Sequence, residues 1–201
     1  SPRAQGQAMI NTATALIRPN TRVIYLESPC SLTMEVQDVP AICAVAKSHN
    51  IVTILDNTWA SPILCQPFEL GVDISIQAAT KYICGHSDVM LGTASANARH
   101  WPQLREHSYL LGYCASADDV YLAARGLRTL GVRLAQHQRN TLQVIEWLAQ
   151  RPEIETILHP ALPSIRLTRA LRCIVTISRA QLRCAWFVAS SRPAMTIWSD
   201  A

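Results

Sequence analysis

Asp73-Ile74-Ser75-Ile76-Gln77-Ala78-Ala79-Thr80-Lys81-Tyr82-Ile83-Cys84-Gly85-His86-Ser87-Asp88 is the stretch on which the reading of the chain turns. Ile74 and Ile76 alternate with Ser75 and Gln77, the period of two that marks a half-buried strand over residues 73–77. The small residues Ala78 and Ala79 then present Thr80 and Lys81, and Gly85-His86-Ser87-Asp88 forms a polar turn before a further apolar segment, 89–95, expected to be another strand. A lysine just beyond a strand end suits chemistry, because strand ends in open α/β sheets line the ligand crevice. Taken alone, it reads equally as an ordinary surface lysine.

Upstream, Ile51-Val52-Thr53-Ile54-Leu55 is a compact apolar run with the character of a buried strand, and it ends on Asp56-Asn57-Thr58-Trp59. Val23-Ile24-Tyr25-Leu26 is a similar run that ends on Glu27-Ser28-Pro29. Between them Asp38 predicts a helix N-cap, Pro40 falls in the first turn where a missing N–H costs nothing, and Ile42, Val45 and Ala46 make an apolar stripe. Strand, helix, strand at this spacing is the βαβ unit of a parallel sheet covered by helices. Asp56 therefore falls at the end of one strand, and Thr80 and Lys81 fall beyond the end of the next. If neighbouring strands run the same way, all three reach one edge of the sheet. An acid at a strand end also caps turns, and on its own Asp56 fits that role as well.

The flanks are helical. Residues 8–17 form a short amphipathic segment stopped by Pro19. Residues 99–110 predict a helix ended by Gly112, and Ser116 with Asp118 and Asp119 signals the start of a longer one running to about Gln150, with Gly126 and Gly131 inviting a kink or a break. Arg125, Arg128 and Arg133 are expected to make ion pairs or phosphate contacts. Residues 154–158 read as one more strand, closed by His159-Pro160-Ala161-Leu162-Pro163.

Composition narrows the function classes. The chain has 201 residues, 49% of them hydrophobic and 16% charged, enough for a packed core. The net charge of +4 is unevenly placed: residues 164–201 hold six arginines and one acid, which leaves −1 on residues 1–163. A basic nucleic-acid face is therefore not expected on the main body. Seven cysteines without a Cys-x-x-Cys pair read as reduced, mainly structural thiols of a cytosolic protein, and the six scattered histidines predict no zinc site. No apolar run has membrane-spanning length and no signal peptide is evident. The first residue is Ser1 rather than Met, which suggests a fragment or a processed product.

Glu27-Ser28-Pro29, Asp56-Asn57-Thr58-Trp59-Ala60 and the Gln77-Ala78-Ala79-Thr80-Lys81-Tyr82 string with its Gly85-His86-Ser87-Asp88 resemble the cystathionine β-lyase branch of the Cys/Met-metabolism pyridoxal-phosphate enzymes. Arg125-Gly126-Leu127-Arg128-Thr129-Leu130 and Leu158-His159-Pro160-Ala161-Leu162-Pro163 extend the likeness, which covers about residues 8–163. It implies an α/β fold, part of the large domain of a fold-type I (aspartate-aminotransferase-like) enzyme, with a mainly parallel sheet and helices on both faces. It implies pyridoxal 5'-phosphate as cofactor, with Lys81 as the residue that binds it covalently and later shuttles the α-proton. Asp56 would pair with the pyridine nitrogen, Thr80 would donate its hydroxyl to the phosphate, and Trp59 would wall the pocket. The implied reaction is α,β-elimination of L-cystathionine to homocysteine, pyruvate and ammonia in methionine biosynthesis. The alternatives are an inactive remnant and a γ-lyase or γ-synthase specificity. A cytoplasmic enzyme with a small amino-acid substrate follows, and a homotetramer for full-length members, an assembly not expected of a part chain.

The likeness has limits. The family's phosphate-binding serine often stands three before the lysine, where this chain has Ala78, and Cys30 stands where a glycine is usual. Family members are much longer, with a glycine-rich phosphate loop and ring-stacking tyrosine before this region and a carboxylate-gripping arginine after it. Residues 1–163 are thus expected to be part of the large domain, with the C-terminal domain beginning near 150–163. Residues 164–201 are a divergent Arg-rich tail that lacks the family pattern. A shift of reading frame near codon 163 would explain the tail, and the nucleotide sequence tests it.

Overall fold

The computed structural model describes residues 11–31, 33–160, 162 and 197–199. After a helical stretch at 11–16 (α1), the chain forms β1 (Thr21–Glu27), α2 (Val39–Ser48), β2 (Val52–Asp56), a short α3 (Ser61–Leu64) and a 3-10 turn (Pro67–Leu70). β3 (Ile74–Ala78) and β4 (Gly92–Ala96) follow, then three helices, α4 (Trp101–Leu110), α5 (Ala117–Leu127) and α6 (Leu130–Leu148), and finally β5 (Ile197–Ser199).

The sheet has the order β4-β3-β2-β1-β5. β1, β2 and β3 are mutually parallel, as the βαβ spacing predicts, and in register: Glu27 pairs with Asp56, and Asp56 with Ile76. The flanking strands β4 and β5 run antiparallel to their neighbours. β4 starts at Gly92, later than the apolar pattern of 89–95 suggests, because residues 79–91 are taken up by the turn that carries Lys81 and by Thr80 bonding to Leu91. β5 is drawn from the divergent tail; Ile174-Val175-Thr176-Ile177, a β-branched run in that tail with strand character, lies outside the described residues.

The period of two sorts the strands into unequal faces. Ile24, Leu26, Thr53, Leu55 and Ser75 are buried, whereas Tyr25, Ile54, Ile74 and Ile76 are half-buried. α2 covers the buried row. Asp38 caps it by accepting from the Ala41 amide at 3.2 Å, and Val39, Ile42, Cys43 and Ala46 pack on Ile24, Leu26 and Leu55. Val45, expected in this stripe, is half-buried beside it. Two smaller clusters join the segment after β3 to the helices: Ala79, Ile83 and Cys84 meet Ala123 of α5, and Tyr82 meets Leu130 and Leu134 of α6.

The long helix expected from Ser116 is two. Ser116 caps α5 by accepting from Asp119 N–H at 3.1 Å, and the chain breaks between Leu127 and Leu130. Gly126 stands in the last turn of α5, just before the break. A Cβ there would meet the Ile83 carbonyl and lie 2.8 Å from the Cys84 carbonyl, so only glycine lets α5 approach the Lys81 segment this closely. Residues 154–158 are not a strand. No strand pairs with them among the described residues, and the Ile154 amide donates instead to the Arg151 carbonyl at 3.1 Å. Cys30, Cys43, Cys65 and Cys84 are buried free thiols and Cys114 is exposed.

Candidate active site

Because β2 and β3 are parallel, their C-terminal ends emerge on one edge. Asp56 is the last residue of β2, and Thr80 and Lys81 follow the end of β3 after Ala79. The structure thus brings all three predicted residues to the same edge.

Asp56 is held by its own strand end. Its Oδ1 accepts from the Thr58 amide at 2.8 Å, and its Oδ2 accepts from the Tyr25 hydroxyl at 3.4 Å, a long and weak bond. Tyr25 was not legible as a site residue. Its contact depends on the β1–β2 register, which sets it diagonally beside Asp56 on the half-buried face. Burial first, then the charges of Asp56 and Glu27 and the bond to Asp56, push the Tyr25 phenol up to about 12, so it remains a donor.

Lys81 sits on the exposed side of a tight turn whose other members are packed. Its amide donates to the Ala78 carbonyl at 3.0 Å, and its carbonyl accepts from the Gly85 amide at 2.8 Å. Ala79, Tyr82, Ile83 and Cys84 around it are buried. Thr80 is committed to the sheet: its hydroxyl donates to the Leu91 carbonyl at 3.2 Å and accepts from the Leu91 amide at 3.0 Å, fixing the return into β4.

Among the described residues Arg133 makes no ion pair. Its guanidinium donates to the carbonyls of Tyr82 (2.7 Å), Ile83 (3.2 Å) and Gly126 (2.8 Å), and to the Thr129 hydroxyl at 3.0 Å. Trp59, half-buried, stands with its ring centroid 6.2 Å from that of buried His159.

A cleft of 610 Å³ lies at the opposite, N-terminal edge, between α2, the 3-10 turn and the start of β3. Its charged floor is internally used. The Asp73 carboxylate accepts from Thr53 N–H (3.0 Å), Thr53 Oγ1 (3.1 Å) and Asn97 Nδ2 (2.9 Å), and His100 Nδ1 stands 3.3 Å away. Burial raises the Asp73 carboxyl, but these bonds and His100 outweigh it and hold it below its ordinary value. That edge braces the fold, and the chemistry-bearing residues gather at the other.

Solved structures share this architecture. A structure of metB from Corynebacterium glutamicum superposes with a TM-score of 0.75 and 36% identity over 78% of this chain and 41% of its own. The fold, α/β with parallel central strands, is that of a pyridoxal-phosphate fold-type I large domain. The chain belongs to the Cys/Met metabolism PLP-dependent enzyme family, whose sequence profile matches residues 4–171. It is 56% identical to cystathionine beta-lyase of Haemophilus influenzae over 74% of this chain and 38% of that protein. Against L-methionine gamma-lyase of Porphyromonas gingivalis it is 40% identical over 75% of this chain and 38% of that protein. The chain therefore spans about two fifths of the length of the curated relatives it matches.

The residues present fit the cofactor of this family. A carboxylate with one oxygen firmly held and the other only loosely bonded retains an acceptor for a protonated heterocyclic nitrogen. An exposed lysine on a turn with a fixed backbone suits covalent attachment to an aldehyde. Among the described residues no helix is long and apolar enough to cross a membrane, and no group of three His, Cys, Asp or Glu could hold a metal ion.

Proposed function

We propose that the protein is a carbon–sulfur lyase that cleaves L-cystathionine by α,β-elimination to homocysteine, pyruvate and ammonia, in methionine biosynthesis. The observation that carries the reading is Asp56 and the Lys81 turn on one edge of a parallel sheet, in a chain more similar to the β-lyase than to the γ-lyase. Pyridoxal phosphate, when bound, supplies the electron sink for the charge left at Cα. Lys81 Nζ anchors the cofactor before substrate arrives and then takes the Cα proton. Asp56 pairs with the ring nitrogen, oriented by the Thr58 amide and the Tyr25 hydroxyl. Thr80 is assigned to the phosphate, where a phosphate oxygen would replace the Leu91 carbonyl as acceptor of its hydroxyl. Trp59 and His159 wall the pocket.

The same reading takes residues 1–163 as large-domain sequence, with the C-terminal domain starting near 150–163, and 164–201 as a divergent tail. It places the enzyme in the cytoplasm. A homotetramer is proposed for the full-length enzyme.

Purified chain mixed with pyridoxal phosphate is expected to give a Schiff-base absorbance band that Lys81→Ala abolishes. No band even with excess cofactor would sink the reading and leave a chain that has lost the activity of its relatives. Release of 2-oxobutyrate in place of pyruvate would move the assignment to the γ-reaction.

A further inference from the structure

We propose that Arg133 is the positioning residue of the Lys81 turn: its guanidinium fork closes the one helical turn after β3 and thereby sets the direction in which Lys81 presents its amine. This rests on Lys81 being the cofactor-binding lysine.

Within the turn the amides of Lys81, Cys84 and Gly85 satisfy the carbonyls of Ala78, Ala79 and Lys81. Gly85 then adopts a left-handed conformation at φ +83, which ends the turn. Continuing the helix would have supplied amides to Tyr82 and Ile83. Arg133 supplies N–H groups instead, Nη1 to Tyr82 and Nη2 to Ile83, and Nη2 also reaches the Gly126 carbonyl at the end of α5. The Thr129 hydroxyl accepts from Nε and so orients the fork. Two glycines make room. A Cβ on Gly85 would collide with the guanidinium, with Cζ at 2.7 Å, and one on Gly126 would collide with the Ile83 and Cys84 carbonyls. One cation therefore ties the turn to α5 and α6 by three carbonyls, and the planar fork is what allows it. An ammonium on a flexible stem cannot span the same acceptors.

The chain contains two lysines, Lys47 on α2 and Lys81, so the molecule carries its own reference. The test incubates the full 201-residue chain with pyridoxal phosphate, reduces with borohydride, and measures the ratio of cofactor on Lys81 to that on Lys47 by peptide mass spectrometry. Wild type is expected to favour Lys81. Arg133→Met and Arg133→Lys are each expected to lower the ratio by about tenfold or more, the order by which misplaced reacting groups lose rate. Labelling of Lys47 and the circular-dichroism spectrum should stay as in wild type, because α2 lies outside the tie. If Arg133→Met fails to fold, Arg133→Lys decides. An unchanged ratio in a folded variant overturns the inference. No preference for Lys81 in wild type overturns the function reading beneath it instead.

Discussion

Replacing Gly126 by alanine sets two effects of opposite sign against each other, and the structure says which wins. Gly126 lies in the last turn of α5, where alanine gains about 0.5–1 kcal/mol of helix propensity over glycine. Against this, the new Cβ would press on the Ile83 carbonyl, with the Cys84 carbonyl at 2.8 Å and the Cys84 Cα at 3.0 Å. All three are backbone, so no side chain can swing away, and relief requires moving α5 or the turn. Forced overpacking of this kind costs about 1–3 kcal/mol. Moving the turn also weakens the Arg133 bonds to Tyr82 and Ile83. The cost therefore wins, and Gly126→Ala is expected to lose about 1–2 kcal/mol, seen in urea unfolding as a lower midpoint at unchanged slope. Gly131→Ala is the control. Gly131 is on α6, and its added Cβ meets only Ile63 Cδ1 at 3.9 Å, an ordinary contact, so propensity acts alone and stabilises by up to about 1 kcal/mol. A Gly126→Ala chain as stable as wild type would show slack between α5 and the Lys81 turn and refute the close-approach argument.

Two further outcomes follow from titratable groups. Asp73 has a depressed folded value, so its contribution is complete above the unfolded carboxylate value of about 3.9 and is lost as pH falls through the folded value. Asp73→Asn should therefore cost about 1–3 kcal/mol near pH 7, by the loss of charge-assisted bonds, with the gap to wild type closing below about pH 4 in pH-dependent unfolding; a gap that stayed constant with pH would contradict the assignment. Burial pushes the thiols of Cys30, Cys43 and Cys65 up to about 11, so at pH 8 iodoacetamide should modify exposed Cys114 well before these three in the folded chain. Peptide mapping that finds Cys43 or Cys65 modified as fast as Cys114 would refute their burial.

The parallel core of the sheet was legible because Val23–Leu26 and Ile51–Leu55 are apolar runs of strand length separated by a capped helix, and each became a strand within a few residues of its expected limits. The placement of Asp56 and Lys81 on one edge was legible for the same reason, since a strand end is a position in sequence before it is a position in space. The direction of β4 was not. An alternating segment looks the same whichever way it runs, and the choice was made by Thr80 bonding to Leu91. Residues 154–158 have strand composition but no strand beside them among the described residues. Tyr25 and Arg133 stayed hidden because their bonds join positions 31 and 51 residues apart, and no local pattern encodes a partner at that separation.

Two carboxylates, Glu27 and Asp56, end adjacent strands at this edge. The sheet order separates them. β2 lies directly beside β3, which leads into Lys81, whereas β1 is one strand further out. With strands about 4.8 Å apart, Glu27 begins roughly 10 Å from the β3 axis and Asp56 half of that. Their surroundings differ in the same sense. Glu27 accepts from the Ser31 hydroxyl in the loop that follows β1, a local bond that turns it along its own chain. Asp56 is fixed through one oxygen by the Thr58 amide, while the bond from Tyr25 to the other is long enough to give way to a charged donor. Proximity to β3 and a replaceable partner both favour Asp56, and both derive from the strand order.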